Sequence, residues 1–338
     1  MAVLTLKNEE YKKLPKILKE YSSYIGVVKG NSEKTVCEYL LDLRSFFRYR
    51  KMCEAGLEYT KEEFEKIEIG DLTVEEIKNI TTQDIINFLM HTSSDRKNST
   101  TTRMRKLSSL KSFFKYMHGK RHYIDSNPAI DIDPMKKSRV LPKYMTLEEA
   151  VRLLETIRQD TESKTVLRDY TIAVLFLNTG MRLSELVGLN LQSFNSDLSS
   201  VTVLGKGSKE RMIYLNSAAR DAVAAYLKMR LDPKYIITSD DAFFLSRRQT
   251  RISGKTVQWM INKYLNLAGF SSRGFSVHKL RHTAATLMYQ SGKVDIRVLK
   301  DILGHEQLNT TQIYTHLVDS NLEEAVENNP LADLKIKR

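Results

Sequence analysis

The sequence predicts a mainly α-helical protein of two domains, the second of which carries a small antiparallel sheet. Three observations lead there. Apolar residues recur at helical spacing through most of the 338-residue chain. The one stretch with a period of two is short and turns at a glycine-flanked lysine. Three of the six prolines, Pro128, Pro134 and Pro142, fall within about 15 residues around the basic run Lys136-Lys137-Ser138-Arg139, an extended connection that separates two helical regions.

The first region, residues 1–134, reads as helices joined by polar turns. Lys34 to Arg50 places Val36, Tyr39, Leu40, Leu43 and Phe47 on one face. Thr81 opens a helix with Ile85, Ile86, Phe88 and Leu89 inward, and Thr100–Met117 turns Met104, Leu107, Leu110, Phe113 and Phe114 inward. The acidic stretch between the first two contains Thr73-x-x-Glu76, a capping-box pattern. After the linker, 135–145, the second region begins at another such box, Thr146-x-x-Glu149, and runs from 146 to 338. Helices are expected around 147–158, 165–178, 183–190, 217–229, 254–267, 279–290, 295–303 and 310–317, with a last one after Ser320. Val201 and Val203 alternate with polar neighbours, as do Met212 and Tyr214, so a hairpin is expected with Gly205-Lys-Gly-Ser-Lys209 at its tip.

Composition narrows the function. A hydrophobic fraction of 41% excludes wholesale disorder. The absence of a long apolar run or a signal-peptide core predicts a soluble, cytoplasmic protein with no membrane partner. Cys37 and Cys53 fit neither a Cys-x-x-Cys pair nor a zinc array. The formal net charge is +12, and the excess is uneven: 23 basic and 20 acidic residues lie in 1–134, against 30 and 21 in 135–338. A polyanionic partner suits that balance.

Four segments of the second region concentrate polar groups. His278 and Arg281 stand three apart, so both can address one ligand from one helix face. The His278/His282 spacing also suits zinc, but the pattern lacks the glutamate of a His-Glu-x-x-His site and sets a fixed cation beside the ion, so no metal is expected. Arg182 is read either as a surface arginine paired with Glu185 or as a phosphate fork that Glu185 holds in place. Lys206 is a turn lysine between two glycines, without the Gly-Lys-Ser/Thr ending of a nucleotide loop. Gly304 fits a helix C-cap before His305, and Tyr314 falls in the next amphipathic helix.

The order Arg182-x-x-Glu185, Gly205-Lys206-Gly207, His278-x-x-Arg281-His282, Leu303-Gly304-His305 and then Tyr314, nine residues on, resembles the tyrosine recombinase (phage integrase) family, and most of all its Xer-like branch. The resemblance implies a SAM-like core-binding domain over 1–134 and a mixed, mostly helical catalytic domain over 146–338. It casts Tyr314 as nucleophile, Arg182, Arg281 and His305 as phosphate ligands, His278 as general base, Lys206 as general acid and Glu185 as a support. The implied product is a 3′-phosphotyrosine and a free 5′ hydroxyl, formed without a cofactor. The implied assembly is a homotetramer on two double-stranded DNA sites, working through a four-way junction, with a segment at about 320–338 passed between protomers. A paralogous recombinase or a regulatory translocase stays open as a further partner.

DNA contact is expected from Arg103, Arg105, Lys106 and Lys111 in the first region, and from Arg248, Arg251 and Lys255 in the second. The two domains would clamp one duplex. Dimer resolution at a chromosomal or plasmid site is the role expected first. Integration or excision of a mobile element, a type IB topoisomerase and a binding-only protein are the alternatives.

Overall fold

The computed structural model describes residues 8–135, 143–205, 209–232 and 241–304. The chain divides into two compact units, Ala2–Arg139 and Val140–Arg338. The expected linker run 136–139, Lys206, His305, Tyr314 and the exchange segment at 320–338 lie outside the described residues.

Among the described residues the N-terminal unit contains seven α-helices: α1 (Asn8–Lys12), α2 (Lys16–Ser23), α3 (Glu33–Glu54), α4 (Lys61–Lys66), α5 (Val74–Lys78), α6 (Thr82–Ser94) and α7 (Thr100–Gly119). Their starts are written in side chains. Ser32, Thr60 and Ser99 accept the N3 amides of α3, α4 and α7, while Thr73 and Thr81 form complete capping boxes with Glu76 and Asp84. The core is aromatic. Phe46 meets Phe88 edge-on at 5.3 Å, and Phe113 receives Phe47 at 5.8 Å and Tyr21 at 5.3 Å. Ile86, expected inward, is exposed, because the buried face of α6 runs through Ile85, Phe88 and Leu89.

Charge is also buried here. Asp42 of α3 receives Lys106 at 3.1 Å and Arg105 at 2.5 Å, both from α7. Burial raises the Asp42 pKa and lowers that of Lys106, so desolvation outweighs their mutual attraction for each partner.

The C-terminal unit is built around α9 (Val166–Thr179), whose apolar residues from Ile172 to Leu177 are all buried. The preceding α8 (Leu147–Arg158), with its Thr146–Glu149 capping box, packs on it, as do α11 (Ser217–Arg230) and α13 (Val277–Gln290). The other α-helices among the described residues are α10 (Leu183–Val187), shorter than expected, α12 (Gly254–Leu267) and α14 (Ile296–Leu303).

The sheet is the expected hairpin, β1 (Ser200–Leu204) with β2 (Glu210–Tyr214). The register pairs Val201 with Ile213 and Val203 with Arg211. Ile213 is therefore the buried partner of the valines, while Met212 and Tyr214 stand on the exposed face. Gly205 N–H donates to Lys209 O at 2.8 Å, closing the hairpin on both sides of 206–208.

The Asp42 pair makes a direct prediction. Asp42→Ala leaves Lys106 buried without a counter-charge and costs about 3–5 kcal/mol in urea unfolding. Asp42→Leu combined with Lys106→Met recovers most of that loss.

Candidate active site

Three chain segments far apart in sequence meet at the C-terminal end of α14. Helix α9 ends at Gly180 in the left-handed region (φ +61°), and a β-carbon there would stand 2.8 Å from the Leu303 side chain. The turn after it delivers Arg182 to the start of α10. Helix α13 delivers Arg281 from its second turn, and β2 delivers Arg211 from the inward face of the hairpin.

The last carbonyls of an α-helix have no partner within the helix. Here each of three successive carbonyls takes a guanidinium. Ile302 O accepts from Arg211, Leu303 O from Arg281 at 2.7 Å and Gly304 O from Arg182 at 2.6 Å. Cations at this end also complement the helix dipole. Arg281 reaches back as well, donating to Gly180 O at 2.6 Å, so it ties the end of α9 to the end of α14.

Glu185 holds the cluster together from within. It is 3% exposed. One oxygen accepts the Arg182 guanidinium at 2.8 Å, and the other accepts Arg211 at 2.8 Å and the Arg182 amide at 2.6 Å. Burial pushes its pKa up, but the Arg182 amide and the two guanidiniums outweigh burial and leave it below the ordinary value. Gly304, at φ +63°, gives Arg211 its room: a β-carbon would lie 2.7 Å from Arg211 Nε.

His278, on the first turn of α13, is exposed, and its ring meets His282 edge-on at 4.6 Å. Partial burial of the ring, followed by the charges of Arg281 and Lys279, lowers its pKa from the ordinary 6.5. Among the described residues no three His, Cys, Asp or Glu side chains gather as a metal site.

The expected site residues are thus brought together in part. Arg182, Glu185 and Arg281 share one cluster, and His278 lies one turn from Arg281; Lys206, His305 and Tyr314 fall on segments not described. Arg211 was not singled out by its sequence context. Its signal was a charged residue at an inward strand position, visible only once the hairpin register is known. A cavity of about 700 Å³ in this unit, lined by Arg168, Tyr226 and Arg230 among others, shares no lining residue with the cluster.

The residues expected on DNA divide. Lys106 corrects the expectation: it stands on the buried face of α7 with Leu110, Phe113 and Met117, and its ammonium is spent on Asp42. Arg105 turns to the same carboxylate. Arg103 bonds Thr100 at 3.3 Å, and Lys111 reaches Ile130 O at 3.4 Å. Arg248 and Lys255 are exposed, whereas Arg251, also exposed, bonds Leu189 O at 2.9 Å and Asn190 at 2.6 Å.

Glu185→Gln should cost about 3 kcal/mol at neutral pH, because two guanidiniums lose a buried counter-charge. The sign with pH follows from the depressed carboxylate pKa. Its contribution is present above the ordinary value of 4.5 and is lost as pH falls from there through the lower folded value. Denaturant unfolding should show wild type and variant converging in acid.

Comparison with known proteins places this geometry. Residues 143–321 match the phage integrase family, and residues 64–120 match the phage integrase N-terminal SAM-like domain. The tyrosine recombinase XerC of Caldanaerobacter subterraneus subsp. tengcongensis is 43% identical over 320 residues, covering 95% of this chain and 88% of that protein. The XerC of Thermodesulfovibrio yellowstonii is 34% identical over 316 residues, covering 92% and 95%. The fold is similar to that of the XerH site-specific recombinase in a post-cleavage complex with a palindromic difH substrate (TM-score 0.67, 22% identity, 92% of this chain and 94% of that one). With a family match over more than half of its length and a relative this similar end to end, the chain belongs to the phage integrase family, as an Xer-like tyrosine recombinase.

Proposed function

We propose that this protein cuts and rejoins DNA at a specific site through a covalent link to Tyr314, with Arg182 and Arg281 as fixed charges on the scissile phosphate. One observation carries the reading. Two guanidiniums from segments about 100 residues apart are held by backbone carbonyls at one helix end, immediately before His305 in sequence. A phosphodiester repels nucleophiles by its own charge, and preorganised cations offset the charge that grows in the transition state. The Arg182 side chain keeps 37% of its surface exposed while Glu185 and Gly304 O fix its orientation, so its free edge faces solvent.

In the cleavage step the Tyr314 oxygen bonds to phosphorus and the bond to the 5′ oxygen breaks. The phenolic proton goes to His278, kept neutral by its lowered pKa, and the leaving oxygen takes a proton from Lys206. Phosphodiester energy is retained in the 3′-phosphotyrosine, so the 5′ hydroxyl of a partner strand reverses the step. His305 completes the phosphate ligands. Four protomers on two double-stranded sites, linked through residues 320–338, carry out both exchanges, with 1–134 as the core-binding domain, 135–145 as linker and 146–338 as catalytic domain. The similarity to XerC proteins over nearly the whole chain favours resolution of chromosome or plasmid dimers in the cytoplasm.

A nicked duplex carrying a site selected by the protein itself should trap a covalent adduct with wild type and none with Tyr314→Phe. An adduct that persists in Tyr314→Phe overturns the assignment. Arg182→Ala and Arg281→Ala should slow adduct formation by about 10²–10³. With His278 as base, the rate should rise with pH through a limb below the 6.5 of an ordinary histidine, and His278→Gln should flatten that limb.

A further inference from the structure

A cleft of about 440 Å³ in the N-terminal unit is walled by α3, α4, α7 and the turn before α7, with Glu10 of α1 at its rim. Its lining is rich in cations: Arg44 and Arg48 from α3, Arg96 from the turn, and Arg105 with Lys106 from α7. Three carboxylates face them, Asp42, Glu10 and Glu65, leaving an excess of two positive charges.

The partners divide these cations into two groups. Arg105 and Lys106 share the single carboxylate of Asp42. Arg44, Arg48 and Arg96 are held in place by bonds that leave guanidinium donors unspent. Arg48 gives only Nε, to Ile67 O at 2.8 Å, and its two terminal nitrogens have no hydrogen-bond partner among the described residues. Arg96 donates one terminal nitrogen to Ser45 at 2.7 Å and lies over the Phe64 ring at 4.9 Å, so its plane is fixed. Arg44 stands 3.4 Å from Glu10. Burial, and then the charge of Arg44, lowers the Arg48 pKa, with Arg96 adding to it, and the carboxylates of Glu65 and Glu10 offset this only in part.

We propose that this cleft binds a phosphate group, gripped by Arg44, Arg48 and Arg96. Guanidinium forks match the oxygens of a tetrahedral oxyanion in pairs. An excess of two charges suits a dianion, such as inorganic phosphate or a phosphomonoester, and a DNA backbone phosphate carries the same oxygens. The site belongs to the other unit from the arginines around Gly304 and does not depend on their role.

The test is calorimetric titration of inorganic phosphate into the full-length protein, in chloride buffer at constant ionic strength. The expected result is saturable binding, weakened about tenfold or more by Arg48→Gln and left intact by Arg182→Gln. Arg44→Gln, which removes only a rim contact to exposed Glu10, gives the same reading if Arg48→Gln does not fold. No saturable binding overturns the proposal, as does binding lost in Arg182→Gln and kept in Arg48→Gln and Arg44→Gln. A second titration on protein saturated with duplex separates the two sources. Phosphate excluded by duplex assigns the cleft to the DNA backbone, and phosphate still bound assigns it to a free anion.

Discussion

Glu185 is a carboxylate taken almost completely out of water, a state that is viable only where cations and donors repay the lost hydration. Arg182 and Arg211 supply the cations, and the Arg182 amide adds a third donor. Both arginines pass on to the end of α14, where Arg281 joins them. Three like charges at one place repel, and they coexist because Glu185 and the negative end of a helix dipole lie between them. Gly180 and Gly304 follow from the same crowding, since a β-carbon at either would meet a side chain at under 3 Å. The hairpin depends on it too. Arg211 anchors β2 to α14, so the chain entering and leaving 206–208 is fixed even though its tip carries only glycine, lysine and serine.

The N-terminal unit solves the same problem with one carboxylate and two cations. Asp42 takes Arg105 and Lys106, and the buried Lys106 is then not available to a groove. This changes how the positive charge of the domain is counted. Basic residues on α7 split between an inward group that repays a buried acid and an outward group with free donors. A charge total from the sequence merges the two.

Much of the fold was legible in the sequence because its signals are local. Thr73 and Thr146 start their helices where a capping box predicts, Thr81 opens the helix expected from it, and Gly304 ends α14 in the conformation a C-cap glycine adopts. Arg182, Glu185, His278 and Arg281 could be read because their order along the chain matches a family pattern. The failures are of one physical kind. Hairpin alternation fixes two faces but not which is inward, so the place of Arg211 opposite Val203 shows only in the register. Lys106 was misplaced because its partner, Asp42, lies 64 residues away, and only helix packing brings them together. Both errors concern a charge whose partner is distant in sequence, where periodicity carries no information.

The arginine cluster also bears on what kind of control the chemistry can have. A guanidinium stays charged across the physiological range, so Arg182 and Arg281 offer the same field to a phosphate at any such pH. Glu185, with its lowered pKa, is likewise fixed as an anion above acid pH. The electrostatic frame is therefore constant, and titration is left to groups outside it. His278 stands one turn from Arg281, and the permanent charge of that arginine helps to keep the imidazole neutral. A base must be unprotonated before it can accept a proton, so in the proposed mechanism the residue that neutralises the phosphate also readies its neighbour. Replacing Arg281 by a neutral side chain would then disturb two steps at once, the charge on the phosphate and the protonation of His278. The two would separate in a pH profile: the first lowers the rate at every pH, and the second moves the acid limb upward.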